Sequence, residues 1–318
     1  MNILVTGAAG FIGSNLTDAL LAAGHQVVGY DNISTGMPRF LDGARAHPRF
    51  TLVQADLLDM PALSAAMAGI DAVFHLAANA DVRFGTAHPR RDLEQNAIVT
   101  QNVLEAMRAQ GVKRILFSST GSVYGEASIF PTPEDAPFPV QTSLYGMSKV
   151  AAEGLLSAYA EGFGFHATVF RFVSILGPRY THGHVFDFAK RLLADPSVLP
   201  VLGDGKQQKS YLHVDDCVAA MLVALERAPA PFAVYNLGQD HWCRVNDSIG
   251  WITAEMGVAP RLEYSGGARG WVGDSPFIFL DCSRMRALGW TPRVTIEDGV
   301  RQTLRWLLAN RWALDQRA

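Results

Sequence analysis

The chain has 318 residues, 49% of them hydrophobic, and this length suffices to bury a large core in two domains or in one domain with an added lobe. Its 27 basic and 30 acidic side chains give a net charge of −3 and form no basic run, which argues against a nucleic-acid partner. The three cysteines are Cys217, Cys243 and Cys282. They are widely spaced and predict neither a disulfide framework nor a zinc site, so no metal is expected.

The first predicted elements are a buried strand, a glycine-rich turn and a helix. The strand covers Asn2–Thr6, the turn contains Gly7, Gly10 and Gly13, and the helix covers residues 11–23. Glycines at this spacing permit a tight turn and a close approach of the backbone to a pyrophosphate, and the helix N-terminus offers N–H groups to the anion. The segment therefore predicts a dinucleotide site; the alternative is a glycine-rich turn that binds nothing.

The second predicted strand indicates which dinucleotide. It covers Gln26–Tyr30 and ends in Asp31. An acid at this position accepts hydrogen bonds from the adenosine ribose hydroxyls and repels a 2′-phosphate. The sequence therefore favours NAD over NADP as the cofactor.

Strands and helices alternate through the first half of the chain. Strands separated by helices predict an α/β fold with a doubly wound parallel sheet of the Rossmann type. The further strands are predicted at residues 50–54, 71–76, 114–118 and 166–172, and the further helices at 61–68, 92–110 and 143–162.

Beyond Ser174 the alternation loosens. Proline and glycine become frequent and the elements become shorter, which predicts a smaller mixed α/β lobe at the C-terminus that closes over the sheet. We expect an NAD-binding domain over residues 1–173 with a return at 211–238, and the substrate lobe over 174–210 and 239–318.

Polar residues follow several predicted strands at the edge where such a sheet binds ligands. Asp56, His75 and Ser118 all lie at such strand ends. Each has an alternative: Asp56 as a helix N-cap, His75 as a satisfied core histidine and Ser118 as a turn hydroxyl. Ala77 and Ala78 are small enough to let the backbone lie against a cofactor.

Tyr145 and Lys149 form the most specific pair of candidate catalytic residues. If residues 143–162 are helical, the two side chains share one face. An ammonium group beneath the phenol favours the phenolate and lowers the tyrosine pKa from roughly 10 towards the range of a general base. The alternative is a chance Tyr-x-x-x-Lys pattern on a solvated helix.

The motifs occur in one characteristic order over nearly the whole chain. They are Gly7-x-x-Gly10-x-x-Gly13, Asp31, Asp56-Leu57, His75-Leu-Ala-Ala78, Ser118-Ser-Thr120, Val123-Tyr-Gly125, Tyr145-x-x-x-Lys149, Arg171, Gly177-Pro178-Arg179, Gly203-Asp-Gly205, Tyr211-Leu-His-Val-Asp215-Asp216 and Gly273-Asp274. In this order the chain resembles the extended short-chain dehydrogenase/reductase family. The resemblance implies a Rossmann fold, NAD as cofactor and a nucleotide-diphosphate sugar as substrate.

The turn after the fifth strand distinguishes branches of that family. Members that dehydrate the sugar typically carry Asp-Glu after the catalytic Thr, whereas this chain has Thr120-Gly121-Ser122. The turn resembles that of the nucleotide-sugar 4-epimerases. The resemblance implies that Tyr145 takes the proton of the sugar 4-hydroxyl, that Thr120 hydrogen-bonds the same oxygen and that Lys149 tunes Tyr145. Hydride would pass from C4 to NAD and return to the opposite face of the 4-keto sugar.

The same resemblance assigns the remaining contacts. The catalytic residues are Thr120, Tyr145 and Lys149. The cofactor contacts are Gly7, Gly10, Phe11, Ile12, Gly13, Asp31, Asn32, Ser34, Gly36, Asp56, Leu57, Leu76, Ala77, Ala78, Asn96, Ser118, Tyr145, Lys149 and Phe172. The substrate contacts are Arg83, Thr120, Ser122, Tyr145, Ser174, Arg179, Val201, Lys209, Tyr211, Arg269 and Asp274.

Departures from the family pattern fall in the region expected to hold the substrate diphosphate. Ser174 stands where the family often has Asn, and Lys209 where it often has Arg. Lys209 can neutralise a phosphate without the bidentate fork of Arg. Trp271 replaces an Arg commonly found two residues before Gly-Asp, while Arg269 lies two positions earlier. Either Arg269 substitutes from a shifted backbone, or the pocket holds a different nucleotide or sugar.

Three other candidates have equally simple alternatives. Arg83 either reaches the sugar or faces solvent. Arg179 contacts a phosphate or a uronate carboxylate, or forms a surface ion pair. Val201 presents its backbone to the base or packs in the core.

The leading hypothesis is an NAD-dependent 4-epimerase acting on UDP-glucose and UDP-galactose or on a related UDP-hexose or uronate. The alternatives are a nucleotide-sugar oxidoreductase that releases NADH and a non-catalytic NAD-binding regulator. The resemblance also implies a homodimer formed by the helices at 92–110 and 143–162. Because the first strand starts at residue 2 and no apolar run approaches the ~18 residues of a membrane span, we expect a cytoplasmic protein without a membrane partner.

Overall fold

A computed structural model describes residues 1–79, 84–138, 140–229, 231–267 and 277–315 of the chain. Its strands are β1 Asn2–Thr6, β2 Gln26–Tyr30, β3 Phe50–Val53, β4 Ala72–His75, β5 Arg114–Thr120, β6 His166–Phe172, β7 Ser174–Leu176, β8 Val198–Val201, β9 Gln208–Lys209, β10 Tyr211–His213, β11 Phe232–Leu237, β12 Cys243–Arg244 and β13 Arg261–Tyr264.

The helices lie between these strands and after them. They are α1 Phe11–Ala22, α2 Asp42–Arg45, α3 Met60–Ala66, α4 Phe84–Ala87, α5 Pro89–Asp92, α6 Val99–Gln110, α7 Leu144–Phe163, α8 His184–Ala194, α9 Val214–Arg227, α10 Val245–Met256, α11 Ser283–Ala287, α12 Ile296–Ala309 and α13 Trp312–Asp315. Two 3₁₀ turns, Pro38–Leu41 and Gly121–Tyr124, and a π-helical turn, Leu93–Ile98, complete the elements.

The main sheet has seven parallel strands in the order β11-β6-β5-β4-β1-β2-β3. The order confirms the predicted doubly wound fold, and the sheet changes direction between β1 and β4, where such folds bind ligands. Thr6 pairs with His75 across this point. The glycine-rich turn after β1 and the Ala77-Ala78 segment after β4 are therefore neighbours.

Apolar side chains cover both faces of the sheet, as expected for parallel strands. Alternate residues of β1 point to opposite sides: Ile3 and Val5 pack with α1 and α9, and Leu4 packs with α3, α6 and α7. A third apolar cluster, formed mainly by α8, α10, α12 and β8, fills the C-terminal lobe, the name used below for residues 174–210 and 239–318.

Two predicted elements differ in detail. The helix expected over residues 92–110 is divided into α5, a π-helical turn and α6, and a π turn within a helix often marks a functional site. Strand β5 continues to Thr120 rather than ending at Ser118, so that Thr120 lies at the sheet edge. Among the residues that the model describes, no helix is both long enough and apolar enough to cross a membrane.

Candidate active site

A cavity of about 590 Å³ opens at the C-terminal edge of the main sheet and continues into the C-terminal lobe. Most of the predicted ligand contacts lie on its wall. These are Gly7, Gly10, Phe11, Ile12, Gly13, Asp31, Asn32, Ser34, Gly36, Asp56, Leu57, Leu76, Ala77, Ala78, Ser118, Thr120, Ser122, Tyr145, Phe172, Ser174, Lys209 and Tyr211.

The glycine-rich turn leaves no space for side chains. Gly7 has φ +69°, and a β-carbon there would lie 2.8 Å from the backbone nitrogen of Ala77. A β-carbon on Gly13 would lie 2.0 Å from the carbonyl oxygen of Gly7. The first turn of α1, whose N–H groups have no partner within the helix, thus lies at the cavity wall. These N–H groups and the helix dipole suit a pyrophosphate, so this end of the cavity fits NAD.

Asp31 is fixed at the same end of the cavity. Its Oδ2 accepts a hydrogen bond from the Ala9 N–H at 2.9 Å, and its Oδ1 accepts one from the Ile33 N–H at 2.8 Å. Burial raises the pKa of this carboxyl, and the two backbone hydrogen bonds oppose the rise. An acid held here matches the ribose hydroxyls of NAD rather than the 2′-phosphate of NADP.

Asp56 lies on the cavity wall and is not a helix cap. Its carboxylate accepts hydrogen bonds from Asn32 Nδ2 at 2.8 Å and from the Leu58 N–H at 2.9 Å. The cap of α3 is instead Asp59, which accepts from the Ala62 N–H at 3.1 Å. Asp56 and Asn32 therefore form one polar edge of the cavity.

His75 is a satisfied core histidine, the alternative considered above. Its Nδ1 lies 2.7 Å from Thr6 Oγ1 and its Nε2 lies 3.0 Å from Thr100 Oγ1. Burial lowers the pKa of His75 to about 3, so the ring is neutral. Thr6 Oγ1 also accepts from the N–H groups of Leu76 and Ala77, both at 3.2 Å. The histidine thus orients backbone that lines the cavity.

Tyr145 and Thr120 meet on the cavity wall from two different elements. Thr120 ends β5, and its Oγ1 accepts a hydrogen bond from the Ser122 N–H at 3.1 Å. Tyr145 lies in the first turn of α7, which the Ser143 side chain caps by accepting from the Gly146 N–H at 3.0 Å. The Thr120 side chain lies close enough to the Tyr145 phenol to lower its pKa. Two hydroxyl groups are therefore available together for one substrate oxygen.

Lys149 follows Tyr145 by one turn of α7 and is almost completely buried. Its Nζ donates a hydrogen bond to the Ser118 carbonyl oxygen at 2.9 Å and lies 4.7 Å from the centre of the Phe117 ring. Burial lowers the pKa of Lys149 to about 7, although the charges of Glu153 and Asp92 raise it. The Lys149 amino group is therefore only partly protonated near neutral pH.

The direction of the Tyr145 pKa differs from the sequence-based prediction. Burial has the largest effect and raises it, the Thr120 side chain lowers it and the Asp92 charge raises it, which leaves the pKa at about 12. Lys149 is not among the groups that shift this pKa. The protein's own groups keep the phenol protonated, so proton abstraction requires more positive charge in the cavity.

A buried ion pair supports the turn at Thr120 from behind, and sequence reasoning missed it. The Arg171 guanidinium lies 2.7 Å from the Glu153 carboxylate, which also accepts a hydrogen bond from the Ser119 hydroxyl. Arg171 donates further to the Tyr124 hydroxyl at 2.7 Å and to the Glu134 carbonyl at 2.8 Å. The network joins α7, β5 and the loop before α7. The sequence contained one indication of this network: Arg171 is among the motif residues, although no role was predicted for it.

Asn96, predicted to contact the cofactor, is buried, whereas the neighbouring Gln95 lines the cavity. Asn96 Oδ1 accepts from the Asn79 N–H at 2.9 Å, and its Nδ2 donates to Ser148 Oγ at 2.9 Å. Ser148 Oγ in turn donates to the Tyr145 carbonyl at 2.8 Å. The amide is thus engaged by protein groups, and Asn96 supports the start of α7.

The other end of the cavity is formed by the C-terminal lobe. Gly183 precedes α8 with φ +108°, and a β-carbon there would lie 2.1 Å from the Tyr180 hydroxyl. The His184 ring lies 4.8 Å from the Tyr211 ring, and burial together with the nearby charge of Lys209 lowers the His184 pKa to about 3. A neutral histidine, a lysine and the N-terminus of α8 therefore meet at this end.

Sequence reasoning missed most of the lobe residues that line this end. No periodicity in the sequence marks them. The missed residues include Tyr180, His182, His184, Asp187, Arg191, Gln207 and Ile278.

For two predicted substrate contacts, the structure agrees with the alternative given in the sequence analysis. Arg179 forms an ion pair with Asp18 at 2.6 Å, on α1, and this agrees with the surface ion pair considered above. Val201 is buried in the apolar cluster of the C-terminal lobe, while Leu202 lines the cavity. Three other candidates lie outside the described residues: Arg83, Arg269 and Asp274. Within the described ranges, no group of His, Cys, Asp and Glu side chains is arranged to hold a metal ion.

Comparison with known proteins agrees with this geometry. The model of the NAD dependent epimerase/dehydratase family matches residues 3–238. The UDP-glucose 4-epimerase of Mycolicibacterium smegmatis is 34% identical over 317 residues, which cover 96% of this chain and 98% of that protein.

Solved structures of similar proteins share the fold over almost the full length. A crystal structure of a UDP-galactose 4-epimerase is 37% identical, with a TM-score of 0.88 and coverage of 98% of this chain and 100% of that one. The UDP-glucuronic acid 4-epimerase of Bacillus cereus, in complex with UDP-glucuronic acid and NAD, is 29% identical, with a TM-score of 0.89. That match covers 97% of this chain and 99% of the other.

Proposed function

This chain belongs to the NAD dependent epimerase/dehydratase family, and from that premise we propose that it inverts C4 of a UDP-sugar, with UDP-glucose and UDP-galactose as its pair. The observation that carries the proposal is the position of Tyr145 and Thr120. Both side chains line one cavity, together with Gly7 and Asp31 at its dinucleotide end and Lys209 at its basic end.

The residues at the cofactor end would hold NAD through the first turn of α1, the Asp31 carboxylate and the backbone after β4. Bound NAD supplies a reversible hydride acceptor and, in its oxidised form, a positive charge. We assign to Tyr145 the removal of the C4 hydroxyl proton and to Thr120 the hydrogen bond that holds that oxygen. Lys149 fixes the Ser118 carbonyl and adds positive charge when protonated.

The proton step depends on the pKa of Tyr145. At a pKa of about 12 the phenol holds its proton too firmly to act as a base at neutral pH. Positive charge near the phenol stabilises the phenolate and lowers that pKa. The proposal therefore makes proton abstraction conditional on NAD in the cavity, so a subunit without NAD would not ionise the sugar hydroxyl.

The lobe end of the cavity would hold the UDP part of the substrate. Lys209 supplies a positive charge, and the N-terminus of α8 adds N–H groups and a positive dipole. Ser122 and Ser174 line the same cavity, and their hydroxyls suit a sugar with several hydroxyl groups. Arg179 has no role in this arrangement because it is paired with Asp18.

We further propose a homodimer formed through α7 and the π-helical turn before α6. Leu93, Ile98, Met147 and Phe163 are each at least 36% exposed, although they are large apolar side chains on these helices. Apolar exposure of this kind marks interaction surfaces. Sedimentation of the purified protein at micromolar concentration tests the dimer proposal, and a monomer at that concentration would contradict it.

The cytoplasmic location and the division into two domains stay predictions.

The activity is tested by following UDP-glucose by proton NMR with the purified protein and an excess of added NAD. The proposal predicts that the anomeric signal of UDP-galactose grows to equilibrium while absorbance at 340 nm stays constant, because hydride returns to the sugar. Steady growth of that absorbance with a ketone product would instead identify the oxidoreductase alternative. NAD binding without any turnover across UDP-, GDP-, dTDP- and CDP-sugars would identify the regulator.

A further inference from the structure

Aromatic rings from the end of the chain pack against the wall of the cofactor end. Phe40, in the 3₁₀ turn Pro38–Leu41, lines the cavity. The centre of its ring lies 5.9 Å from Trp306 of α12 and 5.9 Å from Trp312 of α13, and the two indoles lie 6.2 Å apart. All three pairs meet edge to face, a favourable geometry for aromatic side chains.

A cation extends this cluster on its outer side. The Arg39 guanidinium lies 4.4 Å above the centre of the Trp312 ring, a cation–π contact. Leu314 is buried in the apolar cluster of the C-terminal lobe and fixes α13, which carries Trp312. The aromatic cluster therefore ties residues near position 40 to a helix that is itself anchored in the lobe.

The segment held by this cluster is residues 34–40, here called the outer wall. Ser34, Gly36 and Phe40 of this segment line the cavity beside Asp31. The wall touches the glycine-rich turn directly, because the Met37 N–H donates to the Ala9 carbonyl at 2.9 Å. A β-carbon on Gly36 would lie 2.8 Å from the Ala9 methyl group, so the two segments are in tight contact.

We propose that Trp312 is a positioning residue that holds the outer wall closed over the adenosine part of NAD and thereby slows release of the cofactor. Closed walls must open before a buried ligand leaves, and the release rate follows the population of the open state. An enzyme that reuses one NAD in each cycle gains from slow release. The inference rests on the proposed function only in placing NAD at this end of the cavity, not in the sugar chemistry.

The test measures NAD release from the loaded protein after dilution into lactate and lactate dehydrogenase, which convert free NAD to NADH. We expect Trp312→Ala to release NAD about tenfold faster than the unchanged protein, and Trp312→Phe to remain slow because it keeps an aromatic ring. Initial epimerisation rates of Trp312→Ala should match those of the unchanged protein when NAD is supplied in excess.

Two further variants separate this role from a general loss of stability. Trp251→Ala removes another partly buried indole, one that packs in the lobe cluster, and should leave NAD release unchanged. Arg39→Ala removes an exposed side chain and should accelerate release about threefold, even if Trp312→Ala fails to fold. Release at the unchanged rate from Arg39→Ala and Trp312→Ala, or equal acceleration by Trp251→Ala, would overturn the proposal.

The outcome is independent of the epimerase proposal because NAD release needs no sugar. If Trp312 has no effect while UDP-galactose forms, only this inference fails. If no epimer forms while Trp312→Ala still accelerates NAD release, only the proposed function fails.

Discussion

The two ends of the cavity are built by different means. At the cofactor end, the glycines of one turn leave room only for backbone, since a β-carbon on Gly13 would overlap the Gly7 carbonyl, and Asp31 adds one carboxylate beside them. At the lobe end, Lys209, His184 and Tyr211 come from separate elements and contribute side chains. A backbone site can bind a constant group such as a pyrophosphate, whereas a side-chain site can change its ligand by substitution. The contrast predicts that substitutions at the cofactor end change the affinity for NAD, whereas substitutions at the lobe end change KM for the UDP-sugar.

The largest effect is expected between the two ends, at Tyr145. Tyr145→Phe removes the hydroxyl that takes the C4 proton, and we expect kcat to fall by about 10³-fold, within the usual range of general acid–base catalysis. The amount of NAD that copurifies should not change. Tyr159→Phe, near the C-terminal end of α7, is the matched control, and its kcat should stay within about twofold of that of the unchanged protein. A Tyr145→Phe variant with unchanged kcat would contradict the assignment.

At the cofactor end, Gly13→Ala should remove NAD binding. The added methyl group would lie 2.0 Å from the Gly7 carbonyl oxygen and displace the turn, so we expect an affinity loss of at least about 100-fold, near 3 kcal/mol. Gly154→Ala in α7 has open space around the new methyl group and should bind NAD normally. Titration calorimetry with NAD distinguishes the two variants, and equal affinities would refute the backbone-site account.

At the lobe end, Lys209→Ala should raise KM for the UDP-sugar about tenfold with little change in kcat, because the lysine neutralises a phosphate in ground and transition states alike. NAD binding should be unaffected. Lys206→Ala, which removes an exposed lysine just before β9, is the control. Initial rates over a range of substrate concentrations give both constants. A tenfold fall in kcat at unchanged KM would show that Lys209 acts on the chemical step instead.

The last prediction concerns Lys149, whose pKa should make the free energy of unfolding depend on pH. Its pKa is about 7 in the folded protein and about 10.5 in the unfolded chain, so the folded state binds fewer protons between these values. Stability of the unchanged protein should therefore rise relative to Lys149→Met as pH increases from 7 to 9, by up to about 1.4 kcal/mol per pH unit.

Urea unfolding at pH 7, 8 and 9, in the absence of added NAD, measures this difference. Lys113→Met, which removes an exposed lysine, should show no such trend. A constant difference between Lys149→Met and the unchanged protein over this range would mean that the lysine is not held near a pKa of 7.

Local patterns were sufficient to predict the cofactor end. Strand, glycine spacing and Asp31 are close in sequence, and the chain folds them together through the pairing of β1 with β2 and β4. The lobe end could not be predicted in the same way because its wall joins α8, β9 and β10 through contacts over long sequence distances. His184 has no local pattern that marks it; its position depends on the turn at Gly183.

The Tyr145 pKa shows a second limit of sequence reasoning. The Tyr145 and Lys149 spacing was correct for one helix, yet burial outweighed the expected charge effect on both groups. Burial is a property of the packed molecule and cannot be read from a four-residue spacing. The same holds for the pair of Arg171 and Glu153, whose contact depends on β6 lying beside α7.

The central claim is that hydride leaves C4 and returns to the same carbon within one enclosed cavity. Conversion of UDP-glucose carrying deuterium at C4, followed by mass spectrometry of the UDP-galactose formed, tests it most directly. The account predicts that the product keeps the deuterium in ordinary water, with no net formation of NADH. Replacement of the label by solvent hydrogen, or accumulation of deuterated NADH with a ketone, would contradict it.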